Sequence, residues 1–327
     1  MEKPHISKDN RVLIERTLAN KEISKGIETQ VNQLLVLNVG KRAREFLFFG
    51  CLYATGVIIV FFSNSIIPFT LIGIIFMGVA LNSLAIFIHE GLHGLLANRW
   101  RLNHLLSFLV GLPTMVSATA YYTTHLNHHY ELGRKLDYGT YRQHTKKPFF
   151  VWVAYLLQLS LGSFIYISLI PFLGFRSAST NSRLFIIAEY AVIVTVFTIF
   201  FLYVPTSLVL LYWFYPMLLM NVLTNVRGIA SHALGDQENI YLSSRTVESS
   251  KLVSLLFLNE NYHLEHHIFP RTPSYNLPAM HTLIWNRLPE AIYAKSYGHF
   301  LFCLLKAALR QDLHPLGVVH PRDGIST

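Results

Sequence analysis

Apolar residues in this chain gather into long runs that short polar breaks separate. The first run covers residues 46–62, and the second covers residues 67–88, after a polar break at residues 63–65 and with Pro68 near the start of the second run. A helix of about 17 to 25 apolar residues is long enough to cross the roughly 30 Å hydrocarbon core of a bilayer. The two runs therefore predict a hairpin of membrane-spanning helices.

Three further apolar stretches follow, at residues 105–122, 149–173 and 184–223. The last is long enough for two spans, at 184–204 and 207–223. Hydrophobic residues make up 52% of the 327 residues and charged residues only 14%, which is typical of a bilayer protein rather than a soluble domain.

The polar regions lie at the two ends of the chain. Residues 1–45 predict one or two short amphipathic helices on the cytoplasmic side, without the apolar core and cleavage site of a signal peptide,. Residues 46–304 form the predicted membrane domain, which ends in a mainly helical cytoplasmic cap, and residues 305–327 form a tail. The net charge of +9 lies mostly outside the apolar runs, and no pattern indicates a nucleic-acid module,.

Eight of the sixteen histidines fall in three short clusters. Spacings of three and four residues place the rings of each cluster on one face of a helix. Separate surface patches would not need matched spacing, so we interpret the clusters as ligands of one shared metal centre. We call them the first histidine box (His89 and His93), the second histidine box (His125, His128 and His129) and the third histidine box (His263, His266 and His267).

The number of histidines indicates how many metal ions this centre holds. A single zinc ion needs about four ligands, and structural zinc sites usually include cysteine. The chain has only Cys51 and Cys303, and neither lies near a box. Eight or nine imidazoles suit two metal ions, and iron, zinc, copper and nickel all remain possible.

The three boxes, in this order between apolar runs, resemble the integral-membrane fatty acid desaturase and hydroxylase superfamily. The resemblance extends over about residues 45–300 and includes Gly133, Asp137, the sequence NYHLEHHIFP at 261–270, YNLP at 275–278, and His281. One box alone would be a weak signal, whereas three in order with this context are specific.

The resemblance implies a non-haem centre of two iron ions (Fe2+/Fe3+) that uses O2. The eight boxed histidines would be its catalytic ligands, and His232 would be a ninth. It also implies an external electron donor of ferredoxin or cytochrome b5 type with its reductase. Metal-bound imidazoles usually donate their other N–H to a carboxylate or carbonyl group. The acidic residues near the boxes are Glu90, Glu131, Asp137, Glu260 and Glu265; the resemblance favours Asp137 and Glu265, and gives His281 a supporting role.

A shared centre constrains the topology, because an even number of crossings must separate each box from the next. Residues 105–122 lie alone between the first two boxes, so we expect them to be re-entrant or interfacial. Residues 149–173, the most polar and broken stretch, are assigned to the interface. The sequence thus predicts an all-α, multi-pass membrane protein with four transmembrane helices as two hairpins, interfacial helices, and a cytoplasmic helical cap carrying a di-metal histidine site.

The resemblance implies O2-dependent oxidation of an apolar acyl chain, and the similarity of residues 261–270 and 275–278 to acyl desaturases favours the introduction of a double bond. Hydroxylation, acetylenation, and carotenoid ketolation or hydroxylation belong to the same superfamily and stay open. Substrate, carrier and double-bond position depend on the shape of a binding tunnel, which the sequence does not define.

Two functions of other classes also fit part of the pattern. The sequence HEGLH at 89–93 satisfies the motif of zinc metalloproteases, with Glu90 as the general base,. That function would leave six boxed histidines unexplained. A metal transporter would place ionisable residues along the spans, whereas here the histidines cluster at span ends and in the cap.

Overall fold

The computed structural model describes residues 11–130, 141–236 and 239–321, which are mainly helical. The helices are α1 (Arg11–Ser24), α2 (Glu28–Leu34), α3 (Val39–Phe62), α4 (Ile67–Leu92), α5 (Trp100–Gly111), α6 (Ala118–Tyr130), α7 (Pro148–Ser177), α8 (Thr180–Tyr203), α9 (Thr206–Val209), α10 (Tyr215–His232), α11 (Lys251–Leu256), α12 (His263–Ile268), α13 (Leu277–Ile284) and α14 (Tyr297–Arg310). The strands are β1 (Thr246–Val247), β2 (Glu290–Ala294) and β3 (Val318–Pro321). The predicted helical class is confirmed, with one small sheet that the sequence analysis did not predict.

The described chain divides into two compact units. The first unit contains residues 37–124 and 161–224. The second contains residues 11–36, 125–130, 141–160, 225–236 and 239–321. Most of the long apolar helices belong to the first unit, and the short helices and the sheet belong to the second.

In the first unit, α3 and α4 form the predicted hairpin. Their backbones approach so closely that a Cβ atom on Gly56 would lie 2.6 Å from the carbonyl oxygen of Gly73. Small residues permit this close approach, and van der Waals packing then holds apolar helices together without a hydrophobic driving force. The hairpin is therefore fixed by glycine positions as well as by its polar turn.

Five helices in the described residues are long and apolar enough to cross a membrane: Val39–Phe62, Ile67–Leu92, Pro148–Ser177, Thr180–Tyr203 and Thr206–His232. The predicted count of four spans is not confirmed, because α7, expected at the interface, passes the same test. Its polar residues do not break the helix, since the hydroxyls of Ser160 and Ser168 donate to carbonyl oxygens one turn earlier,. How many of the five cross stays a prediction.

The stretch predicted to be re-entrant or interfacial is broken into two helices. A 3₁₀ turn at Leu112–Thr114 and a left-handed residue, Met115, follow α5. The helical segments Trp100–Thr114 and Ala118–His129 are bent by 98°. This geometry belongs either to a broken span or to a re-entrant loop, so the re-entrant or interfacial placement of this stretch stays a prediction.

A buried carboxylate holds the start of α6. Glu189, the only acidic residue of α8, accepts hydrogen bonds from Ser117 Oγ (2.6 Å) and from the backbone N–H (3.0 Å) and Oγ1 (2.8 Å) of Thr119. Its Oε1, the oxygen that accepts from Thr119 Oγ1, also lies 3.0 Å from Nε2 of His104. A negative charge at a helix N-terminus satisfies its unpaired N–H groups and complements the helix dipole. Glu189 therefore holds the N-terminal end of α6, whose C-terminal end carries the second histidine box.

The second unit has two apolar clusters in its core. In one, α1 and α2 pack through residues such as Ile23 and Val31 against Leu264 of α12 and Met280 of α13. The apolar side of the predicted amphipathic lead-in is thus buried against the helix that carries the third histidine box. In the other cluster, the start of α7 packs with α10 and α14.

The small sheet lies in the second unit and has the order β1-β2-β3. Strands β1 and β2 are parallel, with Thr246 opposite Tyr293, and β2 and β3 are antiparallel, with Tyr293 opposite Val318. The predicted C-terminal tail therefore contributes the end of α14 and all of β3 to the fold of this unit.

Candidate metal centre

The first histidine box lies in the first unit, at the C-terminal end of α4. His89 is in the last turn, and His93 is the residue that ends the helix. Their ring centroids are 5.2 Å apart, and each has a nitrogen within 4.8 Å of a nitrogen of the other. The spacing of four residues thus brings the two rings together, as the sequence predicts.

A buried ion pair supports this box. Arg42 of α3 donates to the carboxylate of Glu90, which lies between the two histidines, and its Nε donates to the carbonyl oxygen of Leu95 at 3.1 Å. Both charged side chains are buried. Removing one member of such a pair is costly because the other charge is left without its partner. The sequence analysis missed Arg42, since its role depends on a contact across 48 residues.

The second and third boxes lie in the second unit, on elements of different length. The second is near the end of the 13-residue helix α6, whereas the third occupies α12, which has only six residues. In the turn before α12, the consecutive residues Leu258 and Asn259 have the left-handed backbone conformation. Bulky residues such as leucine seldom adopt this conformation. The short helix is therefore placed by its surroundings and not by helix propensity.

Within the second unit, the histidines form two groups of three. His125, His129 and His266 offer ligand nitrogens that all lie within 4.8 Å of one another, and His128, His232 and His267 form a second such group. His263 adjoins the second group, with its Nε2 2.8 Å from Nε2 of His232. At metal–nitrogen distances of about 2.1 Å, two ligand nitrogens at a right angle lie about 3 Å apart. Each group could hold a metal ion.

Burial favours the neutral form of two histidines of the third box, which is the form that metal ligands need,. Burial, and then nearby positive groups such as Arg227 and His128, keep the pKa of His263 well below its ordinary value. Burial and the neighbouring imidazoles lower the pKa of His267 in the same way. In the described part of the chain, Nε2 of His267 is buried without a hydrogen-bond partner. A neutral imidazole with a buried, unshared nitrogen is suited to a metal ion.

The carboxylates near the boxes have different roles from those expected. Glu260 contacts a boxed histidine in the second unit: its Oε2 lies 3.3 Å from Nδ1 of His263 and 3.5 Å from Nη1 of Arg227. Glu265 instead accepts from Thr246 Oγ1 and meets Nδ1 of His281, each at 2.5 Å. The contacts of Glu265 are therefore with Thr246 and His281 and not with a boxed histidine, as had been expected, and the supporting role of His281 stays a prediction. Glu131 and Asp137 lie outside the described residues.

Residues 245–247 connect the helix of His232 with the helix of the third box. The buried guanidinium of Arg245 donates to the carbonyl oxygens of Ala230 (2.8 Å) and Ala233 (2.6 Å), and lies over the ring of Phe300. Burial lowers the pKa of Arg245 to about 10, so it stays charged at neutral pH. A cation that donates to the last carbonyls of a helix complements the helix dipole. Arg245 therefore fixes the end of α10, where His232 lies.

The same segment then reaches the third box. Thr246 pairs with Tyr262, and the backbone N–H of Val247 donates to the carbonyl oxygen of Asn261 at 2.8 Å. The amide of Asn261 donates back to the carbonyl oxygen of Val247 at 3.0 Å. Nothing in the spacing of the sequence indicates this role, because both contacts depend on the fold.

Comparison with known proteins agrees with this arrangement. The sequence profile of the family described as fatty acid desaturase matches residues 65–299 of the 327. No curated protein matches the sequence significantly. With its long apolar helices, the chain is a membrane protein, and because the profile covers well over half of it, the chain belongs to the fatty acid desaturase family.

Proposed function

We propose that the protein is an O2-dependent di-iron oxidase that introduces a double bond into an apolar acyl chain. The observation that carries this proposal is the pair of three-histidine groups in the second unit. Two separate groups of imidazole ligands suit two metal ions of borderline softness, a class that includes iron. Membership of the desaturase family supports iron over zinc or copper.

The proposed ligands are the nine histidines of the sequence prediction. His125, His129 and His266 would hold one iron, and His128, His232 and His267 would hold the other, with His263 beside His232. His89 and His93 are retained as ligands on the basis of the sequence. When bound, the two irons would supply the redox chemistry that reduces O2 and oxidises an unactivated C–H bond.

The protein's own residues prepare the centre. Burial keeps the imidazoles of His263 and His267 neutral, so they do not need to lose a proton before binding a cation,. The carboxylate of Glu260 accepts from Nδ1 of His263 and thereby directs Nε2 toward the other histidines,. His266 and His267 are also buried, which excludes bulk water from this part of the site.

The metalloprotease alternative is weakened by one contact. Its mechanism requires Glu90 to act as a general base toward a metal-bound water. In this protein Glu90 is buried and accepts from the guanidinium of Arg42. A carboxylate held in a buried ion pair with an arginine is not free to take a proton from a metal-bound water.

We further propose that electrons come from a separate redox protein of ferredoxin or cytochrome b5 type with its reductase. Such a donor would dock on a cytoplasmic surface rich in lysine and arginine, in keeping with the net charge of +9,. Turnover by the purified protein should therefore require the donor. Full turnover with NAD(P)H alone would contradict this part of the proposal.

The proposed topology keeps the four spans and the cytoplasmic site of the sequence prediction. The turn between α7 and α8 is the decisive position, and it is flanked by Arg176 and Arg183, as expected for the cytoplasmic side. A cysteine at Thr180, in a background without Cys51 and Cys303, should react with a membrane-impermeant thiol reagent from the cytoplasmic side. A cysteine at Thr206 should react from the opposite side. Labelling of Thr180→Cys from outside would show that α7 crosses.

Metal and product analysis together test the proposed function. We expect the purified protein to contain iron in a ratio of about two per chain, and zinc in its place would favour a hydrolase. Expression in a host of known lipid composition, followed by mass spectrometry, should reveal acyl chains that have lost two hydrogens. A product that gains one oxygen and no double bond would make the protein a hydroxylase.

A further inference from the structure

The last helix of the second unit, α14, has three distinct faces. One face packs into the core through Phe300, Leu304 and Ala307, all buried. This contact fixes the orientation of the helix on its unit. The other two faces point away from that core, and their chemistry differs.

The second face is an exposed apolar stripe. Phe302, Leu305 and Leu309 follow the i, i+3, i+7 spacing of one helical face. Phe302 is 65% exposed and Leu309 is 89% exposed, values similar to the 71% of Phe62 on the long apolar helix α3. Large apolar side chains exposed together usually mark a contact with lipid or with another protein.

The third face is basic. Lys306 and Arg310 follow Phe302 by four and eight residues, so they lie along one edge of the apolar stripe, and both are exposed. Helix α14 contains no acidic residue. An apolar stripe with a border of lysine and arginine is typical of helices that lie in the plane of a membrane surface.

We propose that α14 rests on a lipid surface, with its stripe among the acyl chains and its basic edge at anionic headgroups. The charges decide between lipid and protein, because each lysine or arginine near an anionic membrane surface is worth about a fivefold change in partition. The chain is already a membrane protein, so a bilayer is always at high effective concentration. The proposal does not depend on the reaction that the histidines support.

Spin labels at two positions test this contact. One label is placed at Leu309→Cys and the control label at His314→Cys, whose native side chain is 92% exposed in the polar stretch after the helix. Both variants carry Cys51→Ser and Cys303→Ser and are reconstituted into bilayers of phosphatidylcholine with phosphatidylglycerol. Collision rates with O2, which enters lipid, and with a water-soluble nickel chelate are then measured. Circular dichroism and a monodisperse elution profile in detergent show that each variant is folded.

We expect the label at 309 to collide with the nickel chelate about fivefold less often than the label at 314, and to collide with O2 more often. Adding Lys306→Glu and Arg310→Glu should raise nickel access at 309 when phosphatidylglycerol is present. Equal nickel access at 309 and 314 would overturn the proposal. Protection at 309 that persists in detergent and brings spin–spin broadening would also overturn it, because a second copy of the chain would then cover the stripe.

Discussion

The two units of this protein differ in how many polar side chains they bury and in what those side chains do. In the first unit, buried charges are few among long apolar helices, and those described have specific partners: Arg42 pairs with Glu90, and Glu189 accepts from Ser117 and Thr119. In the second unit, buried polar groups are the main content of the site. Seven histidines share it with Glu260, Glu265 and Arg245, on helices of as few as six residues.

This difference shows which interactions determine the structure of each unit. An apolar helix of the first unit satisfies its own backbone, and lipid accepts its outer face, so hydrophobicity alone defines it. The short elements of the second unit cannot be stable by themselves. They depend on contacts such as those of residues 245–247 and on the packing of α1 and α2. Substitutions of the second unit's histidines and their partners should therefore affect the proposed metal centre directly, whereas substitutions in the first unit, outside His89 and His93, should act through the anchors of its helices.

The largest expected effect comes from removing a ligand. His128→Ala or His267→Ala removes one of three nitrogens in its group, so we expect metal content to fall to about half and turnover to be lost. His144→Ala is the matched control, since His144 is exposed and has no metal-like spacing. Metal analysis of the purified variants checks this. If His128→Ala kept its full metal content, the proposed grouping would be wrong.

The next effect concerns the segment that joins α10 to the third box. Arg245→Lys keeps the charge but loses the fork that reaches both Ala230 and Ala233. We expect metal affinity to fall about tenfold, as when an outer hydrogen-bonding partner is lost. Arg287→Lys is the control, because Arg287 also donates to a backbone carbonyl, that of Lys25, but does so at the end of α1. Competition with a chelator measures both, and equal affinities would argue against a special role for Arg245.

A change in the first unit should act mainly on stability. Glu189→Ala leaves the hydroxyls of Ser117 and Thr119 and one backbone N–H without their acceptor, so we expect a loss of about 3 kcal/mol. Glu189→Gln keeps one acceptor oxygen and should lose less. Thr195→Ala on the same helix is the control, since its hydroxyl donates only within the helix, to Ala191. Unfolding in mixed micelles measures the free energy of unfolding of each variant. If Glu189→Ala lost no more than the Thr195→Ala control, Glu189 would not be an anchor of α6.

The smallest effect is expected on α7. Ser160 and Ser168 donate to carbonyl oxygens of their own helix, so alanine at either position should change the free energy of unfolding by no more than about 0.5 kcal/mol. The same unfolding measurement applies. A large loss at Ser168 would show that its hydroxyl has a partner beyond α7, and would make α7 more like the helices of the second unit.

The sequence predicted the long helices well because hydrophobic run length has a direct physical meaning. The hairpin of α3 and α4 was expected. The count of four spans stays a prediction, because α7 is a continuous apolar helix whose serines bond within it. The sheet was missed because β1 has two residues and β3 follows an ordinary loop, so neither shows a clear alternating pattern.

For the site, the sequence by itself determined which histidines share a helical face, because a spacing of three or four residues has one geometric consequence. It also gave His232 as a ninth ligand, through resemblance. Only the tertiary structure decided how the histidines of the second unit divide into two groups, and that Glu260 rather than Glu265 contacts His263. It alone revealed Arg42, Glu189 and Arg245, because each of these charges has a partner on another element of the fold. Local spacing fixes the faces of helices, whereas the partner of a buried charge is chosen by the fold.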